Sequence, residues 1–319
     1  MSDKNSTCVH DISTISTETK PNAIAVEAKD NSAEDYLSCV LRDVTPDVKK
    51  RILELRNLQL RYFSSKIDYY KELQQLERKY ADIYKPLLKT RFEIINGIGQ
   101  PSLDIKGGEE GEKLDIEWKK NKVDERRENL GIPDFWLTVF RNSTVLSTMI
   151  NEEDELVLKH LKEVTVKYVS DNRMDFVLEF HFEPNEYFDN PVLTKEYRIK
   201  CHVDPEQPFD FVGPEIVECE GSRIDWKEGK DITRPAFKRN NKTEKSSEIV
   251  RKSSFFGFFD SLKQKKNSQE ISEALENDFE IAQYIKEKII PRAIFYYTKE
   301  MEESDYSDED STLSESFYF

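Results

Sequence analysis

The chain has 319 residues, 35% of them charged, with a net charge of −15 at neutral pH. That length suits one large or two modest domains. No apolar run approaches the ~18 residues a membrane span needs, and the first residues lack a signal-peptide core, so a soluble intracellular chain without a membrane partner is expected. Cys8, Cys39, Cys201 and Cys219 follow no framework spacing, which suits a reducing compartment. The charge is uneven along the chain. Residues 46–96 hold twelve Lys/Arg against seven Asp/Glu, residues 131–222 eight against nineteen, residues 223–266 thirteen against six, and residues 300–319 none against eight. Acidic domains of this kind repel nucleic acid and attract basic proteins, so no direct nucleic-acid contact is expected.

Residues 1–44 are rich in Ser, Thr, Asn and Asp and show no sustained period, the pattern of a disordered segment. Thr45-Pro46-Asp47 reads as a helix start, with a cap residue, proline at the first position and an acid in the first turn. From Asp47 to Lys85 there is neither glycine nor proline. The apolar residues Val48, Ile52, Leu55, Tyr62, Phe63, Ile67, Tyr70, Leu73, Leu76, Tyr80 and Ile83 fall mainly at three- and four-residue steps. A helix of that length is a rod of roughly 58 Å. Such a stripe needs a second long helix, and the simplest source is another copy of the chain, so a homodimer seam is assigned to Val48, Ile52, Leu55, Tyr62, Phe63, Ile67, Tyr70, Leu73, Leu76 and Tyr80. Leu53, Leu55, Leu58 and Leu60 also match a leucine-rich nuclear export pattern. Pro86 should kink or break the rod, with a short helix from Leu87 to Asn96 stopping at Gly97.

Residues 97–130 form a charged linker containing Gly107-Gly108-Glu109-Glu110-Gly111, which lacks the Gly-Lys-Ser/Thr of a phosphate-binding loop. A globular region, residues 131–299, opens with IPDFW and a helix through about Met149. Asn151 caps a second helix whose first turn holds Glu152, Glu153, Asp154 and Glu155. Alternation follows. Val164, Val166 and Tyr168 share one side; Phe176, Leu178, Phe180 and Phe182 lie opposite Asp175, Val177, Glu179 and His181; Leu193, Tyr197 and Ile199 mark a third strand. The pattern predicts an α+β fold in which a long helix precedes an antiparallel sheet flanked by helices. Residues 203–222 read as a long loop with one short strand, and RIDWKEGKDIT as a hairpin turning at Glu228-Gly229. A basic insertion is expected over about residues 234–266, with FFGFF inside it as core or docking surface. An amphipathic helix is expected from Asn277 to Ile290, interrupted at Pro291 and resumed to Tyr297, before an acidic tail over residues 300–319.

Five segments occur in an order that resembles the nucleosome assembly protein family of histone chaperones. They are Glu77-Arg78-Lys79-Tyr80 running into YKPLLKTRFEIING, then IPDFW, FHFEPNEYFDNPVLTKEY, IDWKEGKDIT and IIPRAIFYYTKE, within about Asp43 to Glu303. The resemblance implies a dimer through the long helix, an earmuff-like α/β domain below it, and core histones as ligand on an acidic concave surface. It implies ATP-independent chaperoning, nucleosome assembly and histone shuttling between cytoplasm and nucleus, with no catalysis and no cofactor. Two features depart from the family pattern: a short acidic tail and the basic insertion. A scaffold or acidic inhibitor of the same fold is the alternative.

On that resemblance, Asp175 and Glu179, on one polar strand face by parity, are assigned to histone binding, together with the tail acids Glu300, Glu302, Glu303, Asp305, Asp308, Glu309 and Asp310. Ser307 and Thr312 precede acids in the way a casein-type kinase prefers. Lys238, Arg239, Lys242, Arg251 and Lys252 form either a signal for import factors or a solvated loop. Cys201, His202 and Cys219 lack a paired Cys-x-x-Cys, so no metal is assigned.

Overall fold

The computed structural model describes residues 41–42, 44–98, 131–169, 174–233, 236–237, 249–250, 254–264 and 268–300. The chain divides into two compact units, Met1–Asn57 and Leu58–Phe319, and the packing below belongs to the second. Among the described residues no helix is long and apolar enough to cross a membrane.

Helix α1 runs from Pro46 to Ile95. Thr45 starts it: its carbonyl accepts the Lys49 N–H at 2.9 Å and its hydroxyl accepts the Val48 N–H at 3.5 Å. The expected break at Pro86 does not occur. Residues 82–87 are all exposed, so the Asp82 carbonyl, which loses its helical donor to the proline, can be hydrated instead. The Thr90 hydroxyl donates to the Pro86 carbonyl at 3.1 Å. The two predicted helices are therefore one. It stops as predicted at Gly97, whose φ of 66° is left-handed. The Ile132 N–H then donates to the Ile95 carbonyl at 2.7 Å. A Cβ on Gly131 (φ +65°) would lie 2.1 Å from that oxygen, so the close approach requires glycine.

Three short helices open the domain: α2 (Phe135–Arg141), α3 (Thr144–Ser147) and α4 (Glu152–Leu158). The single helix expected through Met149 is split at Ser143, whose hydroxyl caps α3 by accepting the Leu146 N–H at 3.2 Å. Asn151 caps α4 as predicted, in a reciprocal capping box with Asp154. Strands β1 (Leu161–Tyr168), β2 (Phe176–Phe182), β3 (Val192–Lys200) and β4 (Glu215–Gly221) follow. With β7 (Leu262–Lys263) they form one antiparallel sheet in the order β1-β2-β3-β4-β7. A separate two-stranded ladder pairs β5 (Ala236–Phe237) with β6 (Ile249–Val250).

The predicted parity holds: Val164, Phe176, Leu178, Phe180, Phe182, Leu193 and Tyr197 are buried. They meet a 3₁₀ turn, Phe255–Phe259, in which all four phenylalanines are buried, each worth about 1.5–3 kcal/mol of apolar burial. The Phe180 ring packs edge-on against Phe259 at 5.2 Å between centroids. Of the two expectations for FFGFF, core and docking surface, the structure shows the core. Helix α5 (Gln269–Tyr284) begins earlier than the predicted Asn277. It passes into a π turn, Ile285–Ile289, closed by the Ile290 N–H on the Ile285 carbonyl at 2.9 Å. The extra residue allows Ile285, Ile289 and Ile290 all to face the core before α6 (Ala293–Thr298).

Residues 223–233 turn at Glu228-Gly229 but do not form the expected hairpin. Their partners lie in the loop after β2: the Lys227 N–H donates to the Tyr187 carbonyl at 2.8 Å and the Asp189 N–H to the Asp225 carbonyl at 3.1 Å. Asn190 fastens the same crossing, accepting the Asp225 N–H at 2.7 Å.

Candidate functional site

The residues of FHFEPNEYFDNPVLTKEY are the obvious place to look for chemistry, and the structure gives most of them scaffolding tasks. Phe180, Phe182, Phe188 and Leu193 are core. Asn185 turns the chain, its side-chain oxygen accepting the Tyr187 and Phe188 N–H groups at 2.9 and 3.0 Å. Lys195 is the surprise: it alternates onto the apolar side and is completely buried. Its ammonium donates to the carbonyls of Phe258 and Asp260 at 2.6 Å each and to Asp278 Oδ2 at 2.9 Å. Tyr197 donates to the other oxygen of Asp278 at 2.7 Å, and burial, followed by that carboxylate, pushes its phenol well above the ordinary value. Lys195 therefore ties β3 to the 3₁₀ turn and to α5. Nothing in the period-two pattern identifies it, because only the tertiary partners make burial of a lysine tolerable.

Two surfaces are open to a partner. The first is on α1. Leu58, Tyr62, Tyr69, Leu76, Tyr80, Ile83, Leu87 and Ile94 are exposed and recur at three-, four- and seven-residue steps, which places them on one face of the helix. The chain's own domain covers a neighbouring face instead. Tyr70 is 1% exposed, Phe63 packs on Phe211 at 5.4 Å between ring centroids, and Leu73 lines a cleft with Tyr168 and Phe176. Tyr70 thus leaves the predicted dimer seam outright, and Phe63 and Leu73 have partners within the chain. Ile67 is half-buried; Tyr62, Leu76 and Tyr80 lie on the open face, and Tyr69, Ile83, Leu87 and Ile94 are added to it. Val48 and Leu55, in the first unit, are exposed and Ile52 is half-buried. In the export pattern, Leu53, Leu55 and Leu58 are exposed and Leu60 is half-buried.

The second surface is acidic, and the two carboxylates that parity assigned to it are taken up within the chain. Asp175 is buried and accepts the Ile199 N–H at 2.9 Å, at the bulge between Arg198 and Ile199. Glu179 is 9% exposed, with Lys167 Nζ 2.7 Å from it. Both assignments to ligand binding are corrected: parity names a face but not its occupants, and here a backbone amide and a neighbouring lysine already take these carboxylates. Beside them Arg198 binds Glu218 and Glu220 at 3.0 Å each and Glu196 at 3.3 Å, one guanidinium shared by three carboxylates. Exposed acids occur at several places in the domain, among them Glu152, Glu153, Glu206, Asp210 and Glu220, and those on α5 form a regular row. Glu273, Glu276 and Glu280 are all exposed, at steps of three and four, with Glu270 before them and Glu287 beyond. Like charges at that spacing cost a helix about 0.2–0.5 kcal/mol per pair. Their spacing was legible, but the helix containing them was expected to start too late. Glu300 is exposed at the end of the described chain. Glu302, Glu303, Asp305, Asp308, Glu309, Asp310, Ser307 and Thr312 lie outside the described residues, as do Lys238, Arg239, Lys242, Arg251 and Lys252. No group of metal-ligating side chains occurs among the described residues.

Fold and surfaces together define an acidic α+β protein with an open apolar stripe on a long helix. The family model described as nucleosome assembly protein (NAP) matches residues 50–300. Nucleosome assembly protein 1-like 4 of Mus musculus is 41% identical over 81% of this chain and 75% of its own length. Nucleosome assembly protein 1-like 1 of Homo sapiens is 43% identical over 82% and 72%. The solved structure of nucleosome assembly protein 1 from Plasmodium knowlesi is similar with a TM-score of 0.52 at 30% identity, covering 80% of this chain and 98% of that one. The chain belongs to the nucleosome assembly protein family.

Proposed function

We propose that this protein is an ATP-independent histone chaperone that acts as a homodimer. Family membership over residues 50–300 is the observation that carries the histone reading. The open stripe from Leu58 to Ile94 supports the dimer: its large apolar side chains are exposed to water, and a second α1 would cover them. Two acidic domains joined in this way offer a basic, extended ligand a paired surface. The ladder Glu273, Glu276 and Glu280 is the part of that surface assigned to histone contact, with Glu300 and the tail beyond it. Long-range attraction steers histones to the surface, and DNA, the denser polyanion, takes them off it. No bond is made or broken. Shuttling between cytoplasm and nucleus, handling by import factors, and phosphorylation of Ser307 or Thr312 by a casein-type kinase belong to the same proposal.

The test is a pull-down of purified core histones by the full chain across a salt series, paired with plasmid supercoiling. Chaperoning predicts binding that weakens as salt rises, and histone deposition without ATP. Absence of histone binding at low salt sinks the proposal and favours the scaffold reading.

A further inference from the structure

The open stripe on α1 has two margins, and they differ. At about 100° per residue, Tyr70, Glu77 and Ile95 lie along one of them. The chain's own domain holds that margin: Tyr70 and Ile95 are buried, and Glu77 accepts from Tyr168 at 3.3 Å and from Lys286 at 3.4 Å. Glu54, Arg61, Glu72 and Lys79 lie along the other margin, within about 20° of one another by helical spacing. All four are exposed. Among the described residues none of the four forms an ion pair within the chain, and Lys79 lies 6.0 Å from the centre of the Tyr80 ring. Other charges of α1 are paired: Asp68 is joined to Lys71 at 3.5 Å and Lys89 to Glu93 at 3.9 Å.

These unpaired charges are symmetric in sequence. Glu54 stands as far before Arg61 as Lys79 stands after Glu72, so Glu54/Lys79 and Arg61/Glu72 share one midpoint, between Lys66 and Ile67. Each pair holds one acid and one base. When two such helices pack antiparallel, each margin of the stripe meets the same margin of the partner; in a parallel pair it meets the opposite margin, which here the domain occupies. A two-fold axis at the midpoint sets Arg61 opposite the partner's Glu72 and Glu54 opposite the partner's Lys79. The same axis brings the exposed Leu58 to the partner's Leu76, and sets the small Ser65 against the ring of the partner's Tyr69. A slip of one heptad is penalised in either direction. One slip opposes Arg61 to the partner's Lys79 and Asp68 to the partner's Glu72, and the other opposes Glu54 to the partner's Glu72.

We propose that Glu54, Arg61, Glu72 and Lys79 are the specificity determinants of the α1 seam: paired across it, they fix one register and select a second copy of this chain over helices with another charge pattern. The inference rests on the homodimer proposed above. Exposed ion pairs add little to the strength of a seam that apolar contact already forms. Their effect is on selection, because each wrong register or wrong partner brings like charges together.

The experiment mixes isotopically labelled full-length wild type with each of two double variants and counts mixed dimers by native mass spectrometry. Mixtures are equilibrated until labelled and unlabelled wild type give about half mixed dimers. Both variants keep the net charge of the wild type. Arg61→Glu with Glu72→Lys restores the pair in its own homodimer but opposes like charges twice in a mixed dimer, so mixed dimers should fall below about one fifth. Arg61→Glu with Glu54→Lys breaks both kinds of pair in its homodimer and half of them in the mixed dimer, so mixed dimers should stay near one half. About half mixed dimers for the first variant overturns the inference and leaves the dimer standing. Equal sorting by the two variants overturns the register. Monomers in every sample overturn the dimer and the inference together.

Discussion

Replacing Lys195 by methionine tests whether the clamp beneath the sheet holds the domain together. The ammonium is fully buried and donates to two carbonyls at 2.6 Å and to Asp278 at 2.9 Å. Methionine keeps much of the volume but leaves Asp278 with the Tyr197 hydroxyl at 2.7 Å and deprives the Phe258 and Asp260 carbonyls of this donor. Removing one partner of a buried ion pair costs about 3–5 kcal/mol, and stranded acceptors favour the upper half of that range. At about 2–4 °C per kcal/mol for a domain of this size, the melting temperature should fall by roughly 8–20 °C. Trp136, completely buried, reports the transition by fluorescence in a urea titration of the full chain. Adding Asp278→Leu removes the uncompensated carboxylate, so the double variant should be more stable than the sum of the single losses by at least about 1 kcal/mol. A loss below about 1 kcal/mol for Lys195→Met, or strict additivity in the double variant, refutes the reasoning.

Leu76→Glu with Ile83→Glu should convert a dimer to monomers in light scattering while leaving the far-ultraviolet dichroism unchanged; a variant that stays dimeric removes the open face of α1 from the seam. Glu273→Lys, Glu276→Lys and Glu280→Lys together should weaken core-histone binding at least tenfold at physiological salt, whereas Asp175→Asn should lower stability and leave affinity within twofold. Equal affinity of the triple variant and the wild type moves the histone contact elsewhere. Burial acts to raise the pKa of Glu183, but hydrogen bonds from Lys162 and His160 outweigh it and hold the carboxyl below its ordinary value. A depressed carboxylate stabilises the fold above its unfolded pKa, and that contribution disappears as pH falls through the folded value. Glu183→Gln should therefore be less stable than wild type by up to about 1 kcal/mol at pH 7, since the group is partly exposed, and the two should converge in acid; a gap that widens on acidification contradicts the sign.

Much of the architecture could be read from local pattern. Alternation located β1, β2 and β3 and their apolar side, and the cap at Asn151 and the stop at Gly97 were visible because each depends on a few adjacent residues. The errors arose where a distant partner decided the outcome. Pro86 was read as a kink or a break, yet the helix runs on through it, since residues 82–87 are exposed and water can take the Asp82 carbonyl. The WKEGK turn was read as a hairpin, but Asn190 and the Tyr187 carbonyl bind its arms first. Asp175 and Glu179 were read as ligand contacts from parity, although an amide of β3 and Lys167 already take those carboxylates.

The sequence by itself determined that a long helix carries more apolar surface than one stripe can bury, that a net acidic α+β region follows, and that its motifs occur in the order of one family. Periodicity and charge are properties of neighbouring residues, and no fold is needed to see them. Only the tertiary structure decided which side of α1 the domain covers, so that Tyr70 is lost from the open face and Tyr69 gained. It also decided that Lys195 goes inside and that Asp175 and Glu179 are taken up within the chain. Each of these depends on groups from other elements of the fold, between 12 and more than 60 residues away, which supply or withhold the hydrogen bond, counter-charge or apolar cover that makes burial possible.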